Sequence, residues 1–194
     1  MKYLVFCCII FTLIMGCKQQ KKLPNINPEE QARQDSLAKV EAVRADSVRR
    51  YQEAVSERLK IEREKERISE LKNTIKIISV FTSAPNSVGG VDVHTIWKNT
   101  STKVIKYVSF YWTPYNAVGD VVSCSIRGYR DAGEQVTGPI NPGQTHGYNY
   151  SWECHWYNNT IKKATLDKIE IDYMDGTTKT IESSDIEYVY KKQW

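Results

Sequence analysis

His94, His146 and His155 are the three imidazoles this chain offers for general acid–base work. None of them stands in a recognisable nucleophile motif. Cys154 and His155 adjoin each other, as a metal-ligand pair can, yet neighbouring strand residues face opposite ways and close on one ion only through a bulge. No metal site is expected on that ground. Asp120, Asp172 and Asp175 are scattered carboxylates of the kind that stabilise turns and solvent faces. No glycine-rich loop opens a helix to cradle phosphate. The sequence therefore points to no catalytic residue and no cofactor.

Two cysteines and one tyrosine carry what site chemistry there is, and strands must position them. From Thr74 onward come all five tryptophans, most tyrosines and nearly all glycines. Segments 74–81, 91–99, 103–112, 118–127, 147–157, 165–173, 177–181 and 186–190 are rich in β-branched and aromatic residues and read as seven or eight strands. Turn chemistry separates them, with Asp175-Gly176 a hairpin signal. Strands at this spacing predict an antiparallel immunoglobulin-like sandwich over 74–194. Alternation sends Ile169, Ile171 and Tyr173 to one face, and groups Val91, Val93, Thr95 and Trp97 on another. Val104, Val108, Phe110 and Trp112 form a third inward set that also takes in Lys106, whose head must then reach an edge.

The same alternation puts Cys124 with Val122 and Ile126, and Cys154 with Tyr150, Trp152 and Trp156. Both thiols then face apolar company. A Cys124–Cys154 disulfide closing a loop of about 30 residues contributes about 3–4 kcal/mol in the chain-entropy model; the alternative is two unpaired buried thiols. Within the aromatic cluster Tyr148, Tyr150, Trp152, Trp156 and Tyr157, most rings go inward and Tyr157 alone takes the opposite face. Tyr157 is thus the candidate contact for a sugar or peptide.

Ahead of this part, residues 29–73 contain no Gly or Pro and consist largely of strong helix formers. They predict a charged helical stalk, about 66 Å long at 1.5 Å per residue. Arg33, Asp35 and Ser36 recur as Arg44, Asp46 and Ser47, an offset of 11 residues or three helical turns. Leu37, Val40, Val48, Tyr51, Val55 and Leu59 make a partial apolar stripe, whereas 62–67 has no apolar residue. A solvated spacer and a coiled coil joining several copies are both open readings, and the failing heptad favours the spacer.

The formal net charge of +4 invites a nucleic-acid reading until it is located. Residues 28–74 hold 11 basic and 11 acidic side chains and residues 75–194 hold 12 of each, so Lys2, Lys18, Lys21 and Lys22 supply the whole excess. No nucleic-acid partner is expected. Lys2 precedes a mostly apolar run from Tyr3 to Met15, too short to span a bilayer and ordered like a secretory signal. The tetrad Ile14-Met15-Gly16-Cys17 resembles the lipobox of bacterial lipoproteins. That resemblance implies cleavage after residue 16, acyl chains on Cys17 and a stable membrane anchor, with 17–28 as anchor and linker. Lys18 follows in place of the aspartate that retains some lipoproteins at the inner membrane, which points to the outer membrane of the cell envelope.

Asn86 to Val93, Trp97 to Ser101, Pro114 to Asp120 and Tyr173 to Gly176 resemble small secreted bacterial modules of the immunoglobulin-like FxLYD kind. The likeness spans about 75–190 and implies fold more than activity. The expectation is a lipid-anchored envelope protein presenting a non-enzymatic module to a protein or surface polymer. The alternative is a carbohydrate-binding module, marked by a row of exposed tryptophans.

Overall fold

A computed structural model describes residues 27–130 and 132–191. The expected signal segment, Cys17 and its basic neighbours lie outside the described residues. Helix α1 runs Pro28–Lys72, beginning at a proline, which fits the first helical turn because it needs no N–H partner there. The chain falls into two compact units, Met1–Val55 and Ser56–Trp194.

In the first unit every described apolar side chain of α1 is exposed, Leu37, Val40, Val48 and Tyr51 among them. Ion pairs one turn apart, Asp46 with Arg49 and Arg50, decorate its surface and add only a few tenths of a kcal/mol each. The second unit takes the last turns of α1 into a core. Leu71 is buried, Arg67 pairs with Asp185 at 2.7 Å, and Lys179 reaches Glu70 at 2.9 Å.

Beyond α1 the described residues are mainly β, with eight strands in two antiparallel sheets. The strands are β1 (Ile75–Thr82), β2 (Gly90–Asn99), β3 (Ile105–Tyr115), β4 (Ala132–Ile140), β5 (Thr145–His146), β6 (Trp152–Tyr157), β7 (Lys163–Tyr173) and β8 (Thr178–Ile181). β2 pairs β1 on one side and β5 and β6 on the other; the second sheet runs β4-β3-β7-β8. Their inner faces share one core built on Trp97, Phe110, Trp112 and Trp156, all fully buried. Trp112 Nε1 donates across the gap to Thr95 Oγ1 at 3.1 Å, satisfying an indole N–H that burial would otherwise strand.

Alternation holds through the middle of β2, β3 and β7: the predicted inward residues of β2 and β7 are buried, as are Val108, Phe110 and Trp112. It breaks at Lys106. A register shift between Ile105 and Tyr107 turns Ile105 into the core and Lys106 to solvent. The expected strand at 118–127 is a loop, because Asn116 Oδ1 accepts the N–H groups of Val118 and Asp120 at 3.0 and 2.9 Å and closes a turn. Between 147 and 151 there is loop as well, and Tyr148 and Tyr150 are exposed rather than inward. At 186–190 the chain forms one helical turn, α2 (Ile186–Val189); Ile186 and Val189, three apart, both enter the core, which is helical spacing. β4 was not foreseen. It has two glycines and a proline, tolerated because it is an edge strand paired to β3 alone.

Candidate functional site

Cys124, Cys154 and Tyr157 do come together, at one end of β6, but not as alternation drew them. Val91 pairs Trp156 while Val93 pairs Trp152, so β6 spends four residues where β2 spends two. The excess is a bulge. In it Cys154 takes φ 48°, the one described non-glycine residue in the left-handed region, at a cost of about 1–2 kcal/mol. Asp92 Oδ1 accepts the Cys154 N–H at 2.8 Å and holds that conformation.

The thiol consequently leaves the inward face. Cys154 Sγ lies against Gly90, so close that a Cβ there would stand 2.7 Å from the sulfur, and it accepts Asn86 Nδ2 at 3.5 Å. Gly90 pairs Tyr157 along one edge of β6. Along the other edge, Tyr157 N–H donates to Cys124 Sγ at 3.3 Å and Tyr157 O accepts Ser125 N–H at 2.7 Å. Both cysteines are free thiols here, and the bridge expected between them is not formed in this structure.

Burial pushes the Cys124 thiol up, but the N–H groups of Arg127, Tyr157 and Ile126, with the Arg127 charge, outweigh it and hold the thiol below its ordinary value. Contact with Cys154 pushes the Tyr157 hydroxyl up. Tyr157 is half-buried and borders a shallow cleft with Asn86, Val88, Ile126 and Asn159. The bulge also turns His155 inward, between the rings of Trp112 and Trp156, with Nδ1 3.1 Å from Glu134 Oε1. Cys154 and His155 therefore point to different surroundings. Among the described residues no three His, Cys, Asp or Glu side chains gather as a metal site.

A second feature lies on the outer face of the β4-β3-β7-β8 sheet, where Tyr107, Tyr111 and Tyr115 follow one another at four-residue steps along β3, about 13 Å apart. All three are half-buried. Lysine ammonium groups stand over them: Lys106 at 5.1 Å from the Tyr107 centroid, Lys168 at 4.0 Å from Tyr111 and Lys163 at 5.5 Å from Tyr115. The Tyr111 ring lies over Gly133, whose missing side chain makes room for it.

Between Tyr111 and Tyr115 the face opens into a cleft with Thr113, Asp167 and Arg130 on its walls. Asp167 is the extra residue where β7 slips register between Tyr111 and Trp112 of β3. Its carboxylate accepts the Thr113 hydroxyl in a short bond and the Thr165 hydroxyl at 3.1 Å. Glu170 accepts Lys168 at 2.8 Å and the Tyr111 hydroxyl at 2.7 Å; those two bonds hold its carboxyl below the usual range against a smaller effect of burial. Glu170 is thus paired within the face, whereas Asp167, whose partners are neutral hydroxyls, keeps its negative charge on the cleft wall. Arg130, on the cleft wall with Asp167, and Lys163, over the Tyr115 ring, make no ion pair among the described residues.

The sequence reading missed this face. Its one legible signal was Tyr107 and Tyr111 on the predicted strand 103–112, with Tyr115 at the same spacing three residues past that strand's expected end. Compared with known proteins, the chain matches no family model, no curated protein and no solved structure.

Proposed function

We propose that this protein is a lipid-anchored lipoprotein of the cell envelope, in the outer membrane, whose two-sheet part is an immunoglobulin-like β-sandwich that binds a protein or surface polymer without catalysis. The address rests on Ile14-Met15-Gly16-Cys17 following an apolar run. The immunoglobulin-like reading is supported by strand order: β1-β2-β6 opposite β4-β3-β7-β8 corresponds to strands A-B-E opposite C′-C-F-G.

The observation that carries the binding role is the Tyr115 cleft, with Arg130 on its wall and Lys163 over the Tyr115 ring, neither in an ion pair among the described residues. A non-catalytic reading is supported by the burial of His155: its side chain is 1% exposed although its partner Glu134 is 40% exposed, which leaves a substrate no route to the imidazole. A histidine enclosed by indole rings is a packing element that Glu134 helps to orient.

A carbohydrate ligand is the second reading. Trp97, Trp112, Trp152 and Trp156 are buried, so no tryptophan row among the described residues supports it; the Tyr111–Tyr115 cleft with its threonine hydroxyls does. The cations favour a glycan bearing carboxylates, which an arginine fork matches.

Two measurements test the proposal. Cys17→Ala protein is expected in the soluble fraction, and retention on membranes equal to native would overturn the anchor. The full chain in detergent is expected to co-sediment with isolated envelope polymers, and the Arg130→Gln/Lys163→Gln variant about tenfold less, the loss of one or two charge-assisted contacts. Equal sedimentation of variant and native protein would overturn the cleft as the binding site.

A further inference from the structure

In the first unit α1 leaves Leu37 59%, Val40 65%, Val48 50% and Tyr51 71% exposed. A helix that serves only as a solvated spacer gains nothing from four large apolar side chains in water. Their spacing is ordered. Leu37 to Val48, Val40 to Tyr51 and Arg44 to Val55 are each eleven residues, the same interval that carries Arg33-Asp35-Ser36 to Arg44-Asp46-Ser47. Eleven residues are three turns at 3.67 per turn, so an eleven-residue repeat keeps its members on one face, with Arg44 the charged member of that series; a seven-residue repeat read from Leu37 meets two arginines, Arg44 and Arg58.

The borders of this stripe are suited to close approach. Ser36 and Ser47 flank it on one side, and Ala45 lies beyond Glu41 on the other, so bulk is low at these three positions. Both serine hydroxyls are turned back on their own helix, Ser36 to Ala32 O at 3.0 Å and Ser47 to Val43 O at 2.9 Å, so neither competes for water at the seam. The paired charges gather on the far side, where Asp46 takes Arg49 and Arg50. Arg44 and Glu41 are the charged residues at the stripe, one of each sign, so a partner with the same composition meets no net like charge.

We infer that the stripe from Leu37 to Val55 is a self-association surface on which α1 of a second copy of this chain packs. A partner helix must match the period along the whole contact. An identical helix does so at the apolar positions and at the polar ones, and the eleven-residue period winds the pair with a right-handed twist. Neither the anchor nor the cleft on the tyrosine face is needed for this association.

Sedimentation of the full chain in density-matched detergent reads it directly. The native chain is expected at twice the mass of one mature chain, and the Val48→Lys/Tyr51→Lys variant at the single mass. Ala42→Lys, on the far face, keeps the pair. All three positions are exposed in the single chain, so helix content by circular dichroism should be the same in every variant. Val48→Cys provides a second readout, since diamide takes two electrons and two protons from the facing thiols and leaves one disulfide between copies. Crosslinking above the native background at Val48→Cys but not at Ala42→Cys supports the surface; a single-chain mass for native protein, or equal crosslinking at both positions, overturns it.

Discussion

Replacing Gly133 with alanine tests whether the tyrosine face is built as described. The added Cβ would stand 2.6 Å from Tyr111 Cδ1 and 3.0 Å from Cζ, with Cε1 closer still. Ordinary carbon contacts lie at about 3.5–4.0 Å, so the ring has to retreat by about 1 Å. It cannot do so freely, because its hydroxyl donates to Glu170 at 2.7 Å and Lys168 stands over its other side. A hydrogen bond to a carboxylate contributes about 1.5–3 kcal/mol, reduced to about 1 kcal/mol here because the Glu170 side chain is 42% exposed. The cation–π contact adds about 0.5–1 kcal/mol. Against these, alanine restricts the unfolded chain and returns about 0.4–1 kcal/mol. The net expectation is a loss of about 1 kcal/mol in urea unfolding followed by fluorescence of the buried tryptophans. In a Tyr111→Ala background the clash is gone, and Gly133→Ala should become neutral or stabilising. The coupling between the two substitutions is then about 1.5 kcal/mol; a coupling under about 0.3 kcal/mol would refute the seat.

Acid should reveal Glu170 in the same assay. Its folded carboxyl is held below the ordinary range, first by Lys168 and then by Tyr111, so its contribution is present above the unfolded value of about 4.3 and is lost as pH falls through the lower folded one. Glu170→Gln protein should therefore lose less stability than native between about pH 5 and pH 3, and an equal loss would contradict the assignment. At the bulge, Gly90→Ala should cost about 1–3 kcal/mol as overpacking, since its Cβ would meet Cys154 Sγ at 2.7 Å and the Asn86 amide at 2.8 Å. Cys154→Ala in the same chain should recover part of that loss by removing the sulfur, and no recovery would show that the thiol does not fill that space.

What the sequence made legible follows the strength of its periods. The helix was readable because its formers run unbroken from residue 29, and β2 and β7 because one face of each is buried along its length. β4 was illegible because an edge strand with few inward residues shows no period: Val136 and Ile140 are its described core members. α2 was misread because four residues cannot distinguish a period of two from one of 3.6 when the apolar content is the same. Cys154 was assigned by an alternation that the bulge interrupts, and in the same aromatic cluster Tyr157 packs against the core while Tyr148 and Tyr150 are exposed.

The features with unused chemistry sit where that period is interrupted. The slip between Val91 and Val93 gives β6 its bulge, moves Cys154 off the inward face and turns His155 into the core. The slip between Tyr111 and Trp112 frees Asp167 from pairing and directs it to Thr113 and Thr165. A bulge bends its strand and re-aims one side chain, so a regular ladder would have left Asp167 among the ordinary outward residues. Asp167 is held by two threonines on the same wall as Arg130. The shape of the cleft, rather than its charge, is therefore what the bulge contributes, and it can be altered without touching Arg130. Restoring a regular ladder by deleting Asp167 should shift the face toward regular pairing, abolish the cleft and weaken retention on envelope polymers while both cations remain; undiminished retention would mean that charge alone, and not the cleft, carries the binding.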